Sequence, residues 1–122
     1  MNVIAIGADI VKVSRMKPYL ERQSLRNKTF TEKELRYALK HQDPLPFLAA
    51  RFAVKESVLK VLKKGSIKLL NEIEVLKDED ESPFILLRGL CKEIMEEKNI
   101  KEWQVSISHE RGYAIAFVIG GA

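Results

Sequence analysis

The chain has 122 residues, 46% apolar and 31% charged, with 21 Lys and Arg against 17 Asp and Glu for a formal charge of +4. That is enough for a single soluble domain, spanning residues 1–122, with a core of its own. The lone Cys91 excludes a disulfide framework and a thiolate metal centre, and no apolar run approaches the roughly 20 residues that cross a bilayer. The sequence pI near 9.2 leaves an acidic protein, a nucleotide or a nucleic acid as candidate partners.

In chain order, Val3-Ile4-Ala5-Ile6 is an apolar run bounded by Gly7 and predicts a short buried strand. It is too short and too uncharged for a signal peptide, so the expected location is the cytoplasm. Asp9 follows just past the strand end, where a carboxylate serves either a site or a turn. Lys12, Arg15, Lys17, Arg22, Arg26 and Lys28 form a basic arm, with a helix expected after Val13 and an interruption near Pro18. Thr31-Glu32-Lys33-Glu34 is a capping box that starts a helix over residues 31–41, and capping alone accounts for Glu34.

The longest helix is predicted over residues 45–63, opened by Pro44 and Pro46 and stopped by Gly65. Around it, Leu48, Phe52, Leu59 and Leu62 make one apolar stripe and Phe47, Val54, Val58 and Val61 widen it. Arg51 and Lys55 fall inside that apolar arc, while Glu56, Lys60 and Lys63 share the opposite face with the small Ala49 and Ala53. Two readings are open. Arg51 and Lys55 snorkel to water while Glu56 and Lys60 form an i,i+4 pair, or the helix carries a carboxylate and several cations to a phosphate-bearing ligand.

Strands are expected over residues 72–76 and 83–87, joined by a polar acidic turn, with Pro83 favouring an edge. An amphipathic helix follows over residues 88–98, closed by Lys98 and Asn99. Two more strands, over residues 103–109 and 113–119, are joined at Arg111-Gly112, and Gly120-Gly121-Ala122 reads as a loose tail. The order β α α α β β α β β predicts an α+β fold, an antiparallel sheet with helices packed on one side and one long central helix. The last strand lacks a polar face, so it is central and covered on both sides, or its second face meets another subunit.

The chemically able groups are Asp9, Arg51, Lys55, Glu56, Lys60, Ser108 and His109. Two hard carboxylates among cations suit Mg²⁺ held jointly with substrate phosphates. The two histidines and the cysteine lack zinc-ligand spacing. Ser108 and His109, as strand neighbours, point to opposite faces and make no nucleophilic pair.

Gly7-Ala8-Asp9-Ile10, Phe30-Thr31-Glu32-Lys33-Glu34-Leu35, the run Arg51-Phe52-Ala53-Val54-Lys55-Glu56-Ser57-Val58-Leu59-Lys60, and Val105-Ser106-Ile107-Ser108-His109 with Tyr113-Ala114-Ile115-Ala116 occur in an order that resembles holo-[acyl-carrier-protein] synthase. These are the small, bacterial-type phosphopantetheinyl transferases, and the resemblance covers essentially the whole chain. It implies Mg²⁺-dependent transfer of 4′-phosphopantetheine from coenzyme A to a serine of acyl carrier protein, releasing adenosine 3′,5′-bisphosphate and supporting fatty acid biosynthesis. It implies Asp9 and Glu56 as metal ligands, Glu56 also helping to deprotonate the serine, and Lys60 on the phosphates and the leaving group. Arg51 and His109 are implied near the adenosine 3′-phosphate with Ser108 beside them, and Lys55 belongs to the coenzyme A motif. Arg15 is implied to face the acidic carrier protein, and three subunits to assemble as a homotrimer with coenzyme A in the clefts between them.

The chain departs from the usual pattern at Gln42-Asp43-Pro44-Leu45-Pro46, commonly basic, where Lys40 or His41 stands as a substitute. It departs also at Ala50, at Lys63-Lys64-Gly65-Ser66 and at Glu81-Ser82-Pro83, which bear on substrate affinity rather than on reaction type. Two other classes compete. A basic nucleic-acid-binding module calls for exposed aromatics among Lys and Arg, whereas the aromatics here lie in apolar patterns. A non-catalytic relative that only binds carrier protein is opposed by the presence of Asp9, Glu56 and Lys60 together.

Overall fold

The computed structural model describes all residues, Met1–Ala122. In order it has β1 (Val3–Lys12), a 3-10 segment (Val13–Met16), α1 (Lys17–Glu21), α2 (Gln23–Thr29), α3 (Glu32–Leu39) and α4 (Leu45–Leu62). A second 3-10 segment (Ile67–Glu72), β2 (Ile73–Lys77), β3 (Pro83–Leu87), α5 (Gly89–Glu97), β4 (Glu102–Glu110) and β5 (Tyr113–Gly121) follow. The strands form two antiparallel sheets, one ordered β1-β5-β4 and the other the β2-β3 hairpin. The fold is α+β, as expected. No helix is long and apolar enough to cross a membrane.

Helix α4 is the centre of the molecule. It packs on β1 and β5 along one side and on α3, β2 and the second 3-10 segment along the other. Thirteen of its 18 residues are buried, among them both cations of the apolar arc, Arg51 and Lys55. A helix enclosed on nearly all sides needs no single apolar stripe, which is why the sequence gives a wide arc rather than a narrow one. Val11, Met16, Phe30, Ile73, Val75, Ile100 and the inward residues Ala114, Ala116 and Val118 of β5 complete the core around it.

Several boundaries differ from the sequence reading. Strand β1 runs ten residues to Lys12, so Asp9 sits inside a ladder opposite Ala116 and does not cap a turn. Gly7 does not end the strand. A Cβ there would lie 2.1 Å from the Ser57 carbonyl oxygen, so glycine is what lets β1 and α4 meet backbone to backbone. Pro18 lies in the first turn of α1 and starts the helix rather than interrupting it. The stop of α4 is Lys63, in the left-handed region at φ 59°, ahead of Gly65. The tail is ordered: Gly121 pairs with Val3 and with Glu102, and Ala122 exchanges backbone hydrogen bonds with Asn2. The glycines there reflect crowding, since a Cβ at Gly120 would meet Val61 at 3.0 Å and Trp103 at 3.1 Å.

Other expectations hold. Thr31 and Glu34 make both bonds of the capping box, and the Arg111-Gly112 turn has positive φ at both residues. Strand β5 is central. One of its faces lies on α4, while the other exposes Tyr113, Ile115 and Phe117 beside Ile4, Ile6 and Ile10 of β1. A face that mixes β-branched and aromatic side chains at this density is unusual for a surface in contact with water alone.

Candidate active site

The close contact at Gly7 determines what stands next to it. Asp9 lies two residues further along the same, inward face of β1. Lys60 comes from α4, on the turn after Ser57. Lys60 Nζ donates to the Ala8 carbonyl oxygen at 2.7 Å and lies 3.3 Å from Asp9 Oδ1. The i,i+4 pairing of Lys60 with Glu56 therefore gives way to a bridge across to β1. Lys60 remains half-exposed while the Asp9 side chain is mostly covered, so the cation is the part of the pair that a ligand can reach.

Glu56 stands one turn before Lys60 on α4. Burial raises its carboxyl pKa above the ordinary value, the Asp9 charge raises it further, and Lys60 and Arg15 act in the opposite direction. Two carboxylates, Asp9 and Glu56, thus share one electrostatic neighbourhood with one ammonium and one guanidinium. Arg15 lies with its guanidinium carbon 5.8 Å from the Phe52 ring centre. Tyr19 belongs to the same corner, its hydroxyl pKa raised mainly by burial.

Arg51 is 2% exposed. Its guanidinium carbon stands 4.3 Å from the Tyr37 ring centre, Nη1 donates to the Phe47 carbonyl oxygen at 3.2 Å, and Nε is buried without a partner. Burial lowers its pKa, and the Glu34 charge and Tyr37 oppose that. A cavity of about 310 Å³ holds Arg51, Lys77, Glu81, Ser106 and His109 in its wall. Arg51 and His109 are therefore brought together. A second cavity of about 300 Å³ shares Arg51, Lys77 and Glu81 with the first and adds Tyr37 and Lys40. His41 stacks on Phe47 with ring centres 3.6 Å apart and shares an open cleft with His109. Lys40 and His41, the two named substitutes for a basic stretch before α4, thus both flank the Arg51–His109 region.

Two expected site residues lie elsewhere. Lys55 is turned inward and fully buried: its ammonium is 2.8 Å from Glu34 Oε1 and donates to the carbonyl oxygens of Leu70, at 2.9 Å, and Ile73. All three donors are used, so Lys55 neither snorkels nor reaches a ligand. Ser108 lies on the exposed face of β4 opposite Ile115 and does not line the cavity with His109.

Four residues near these sites have contacts that the sequence reading did not foresee. Glu34 carries the capping box and the Lys55 ion pair and also accepts from Val75 N at 2.8 Å. The cation in an apolar arc was the signal that such a partner exists. Tyr37 and Lys77 left no signal in the sequence, and Ser106 showed only as one position of the Val105–His109 run, because their places in the cavity walls arise where α3, the β2-β3 hairpin and β4 converge.

Comparison with known proteins points one way. A family model for the 4′-phosphopantetheinyl transferase superfamily matches residues 5–118. A holo-[acyl-carrier-protein] synthase of Thermodesulfovibrio yellowstonii is 45% identical over 116 residues, covering 93% of this chain and 95% of the relative. The crystal structure of holo-[acyl-carrier-protein] synthase from Neisseria meningitidis superposes with a TM-score of 0.85 at 26% identity, covering 98% of this chain and 99% of that one. The Helicobacter pylori enzyme, in a crystal structure in complex with coenzyme A, gives a TM-score of 0.78 at 31% identity over 96% of this chain and all of its own.

Proposed function

The chain belongs to the 4′-phosphopantetheinyl transferase superfamily, and from that premise we propose that it transfers 4′-phosphopantetheine from coenzyme A to a serine of acyl carrier protein. The observation that carries this reading is the convergence of Asp9, Glu56 and Lys60 where β1 meets α4, with a separate anion-ready cavity around Arg51 and His109.

The donor chemistry fits Mg²⁺. Asp9 and Glu56 offer hard oxygens, and the Asp9 charge disfavours the ionised form of Glu56. No group of three or more His, Cys, Asp or Glu side chains gathers anywhere in the chain. Two carboxylates with room for substrate oxygens suit an ion that keeps waters and phosphates in its shell. Bound there, Mg²⁺ supplies positive charge to the coenzyme A pyrophosphate.

In the proposed reaction the carrier serine oxygen attacks the phosphorus that bears pantetheine. The serine O–P bond forms, the P–O bond to adenosine 3′,5′-bisphosphate breaks, and the serine proton passes to Glu56 directly or through a water. A carboxyl with a raised pKa is a better proton acceptor than an ordinary one. Lys60, half-exposed and bonded to the Ala8 carbonyl oxygen, would neutralise charge on the leaving phosphate. Positioning and charge are most of what phosphoryl transfer asks of a protein.

Arg51 and Glu56 are five residues apart on α4, about 140° around the helix, so one chain turns its two half-sites in different directions. That supports a site shared between copies, and the exposed apolar face of β1 and β5 supports a homotrimer that covers it. Arg15 and Arg22, both exposed, would face the acidic carrier and steer its approach. The reaction would take place in the cytoplasm, in a single-domain enzyme, and would supply holo carrier protein for fatty acid biosynthesis.

The test is the intact mass of an apo acyl carrier protein incubated with this protein, coenzyme A and Mg²⁺. A gain of one phosphopantetheine, lost with EDTA and in Glu56→Gln, supports the reading. No gain beside an active control enzyme overturns it.

A further inference from the structure

The cavity around Arg51 and His109 contains a carboxylate that no step of the transfer uses. Glu81, at the end of the β2-β3 turn, lines it together with Arg51, Lys77 and His109, and it also lines the second cavity that shares Arg51. Glu81 Oε2 stands 3.9 Å from Lys77 Nζ, and its charge acts favourably on the Arg51 guanidinium. The backbone holds Glu81 there deliberately. Asp78 Oδ1 accepts from the N–H groups of Asp80, at 2.9 Å, and Ser82, at 3.0 Å, and Glu81 N donates to the Asp78 carbonyl oxygen. Glu81 itself sits at φ 60°, a region that a side chain with a Cβ visits at some cost. A free turn would relax, whereas this one is tied at both ends with an acid at the cavity rim.

We propose that Glu81 is a built-in competitor for the phosphate that Arg51, Lys77 and His109 would take, and so sets the affinity for the 3′-phosphate of coenzyme A. This rests on the placement of that phosphate in the Arg51 cavity. Arg51 is desolvated and has an unpartnered Nε, so it favours any anion that can approach. In the absence of substrate the one carboxylate lining this cavity is that of Glu81, whose side chain is 71% exposed and swings out at little cost. A phosphate entering the cavity must displace that carboxylate from Lys77 or accept its repulsion. Exposure keeps the effect modest: an exposed ion pair is weak, so removal of the acid strengthens phosphate binding only about two- to fivefold.

Calorimetry with adenosine 3′,5′-bisphosphate and adenosine 5′-monophosphate, on the full chain, reads this directly without depending on catalysis. Expected is a two- to fivefold tighter Kd for the bisphosphate in both Glu81→Gln and Glu81→Gly, with the monophosphate unchanged. Unchanged or weaker bisphosphate binding in Glu81→Gln overturns the proposal. So does an equal gain for both nucleotides, or a gain confined to Glu81→Gly, which would trace the effect to backbone relaxation. Arg51→Gln separates the premise from the proposal. If the wild type prefers the bisphosphate and Arg51→Gln removes that preference, the phosphate site stands whatever Glu81 does. If the wild type shows no preference, the site reading fails and the proposal with it.

Discussion

The Lys55 ammonium and the Glu34 carboxylate meet at 2.8 Å with neither side chain exposed to solvent. Around them Thr31 Oγ1 donates to Glu74 Oε2 at 2.5 Å, Arg88 pairs with Glu74 at 2.6 Å, and Glu34 accepts from Thr31 N and Val75 N. The pair thus ties the start of α3, the middle of α4 and the start of β2 to one another. Breaking a buried pair from one side leaves a bare charge in the core, which costs about 3–5 kcal/mol. Lys55→Met is therefore expected to lose that much stability in urea unfolding, and Lys55→Met with Glu34→Gln to lose clearly less than the sum of the single changes. Additive losses would show that the two residues do not act as a pair.

Gly7→Ala places a methyl where the Ser57 carbonyl oxygen already stands. Backbone cannot step aside as a flexible side chain does, so β1 and α4 must separate. Expected is a loss of about 3 kcal/mol or more, with transfer lost at temperatures where the variant is still folded, because Asp9 and Lys60 are set by that contact. A variant as stable as wild type would overturn the close approach.

Glu56 titrates above an ordinary carboxyl because it is half-buried beside Asp9. The folded chain therefore holds that proton more tightly than the unfolded chain. The stability this contributes is present at low pH and lost as pH rises through the raised value. At pH 8 in EDTA, Glu56→Gln should melt above wild type, and the gap should close as pH falls towards the ordinary value of 4.5. Mg²⁺ should raise the melting temperature of wild type and not of the Gln variant. If Glu56 accepts the serine proton, transfer should rise with pH across the same window. A Gln variant that melts below wild type at pH 8 in EDTA would contradict the sign.

Lys60 has a half-exposed ammonium, so its removal should cost little stability, within about 1 kcal/mol. If it neutralises the leaving phosphate, Lys60→Met should slow transfer by roughly 10²–10³-fold. Comparable losses of stability and rate would indicate a structural role alone.

Tyr37 lies over the Arg51 guanidinium and is itself packed edge-on against Phe47, with ring centres 5.9 Å apart. Tyr37→Leu should raise KM for coenzyme A by about two- to thirtyfold through the lost cation–π contact. Tyr37→Phe, which keeps the ring, should restore most of it. Equal KM values for Leu and Phe would trace the effect to the hydroxyl.

Much of the architecture follows from local rules. Short-range rules read α3 from its capping box, the Arg111-Gly112 turn, the β2-β3 hairpin and the span of α4, because caps, turn residues and periodicity act within a few positions of one another. Residue type and order also singled out Asp9, Glu56 and Lys60, and the structure brings Asp9 and Lys60 together. Which groups face one another depends on the closed chain. Tertiary structure lengthened β1 past Gly7, because the glycine was answering to Ser57, 50 positions away, and not to its neighbours. It buried Lys55 against Glu34, moved Lys60 from Glu56 to Asp9 and set Glu81 beside Arg51. Each of these depends on segments that meet only when the chain closes, and the wide apolar arc of a helix enclosed on nearly all sides does not say which neighbour each of its charges will find.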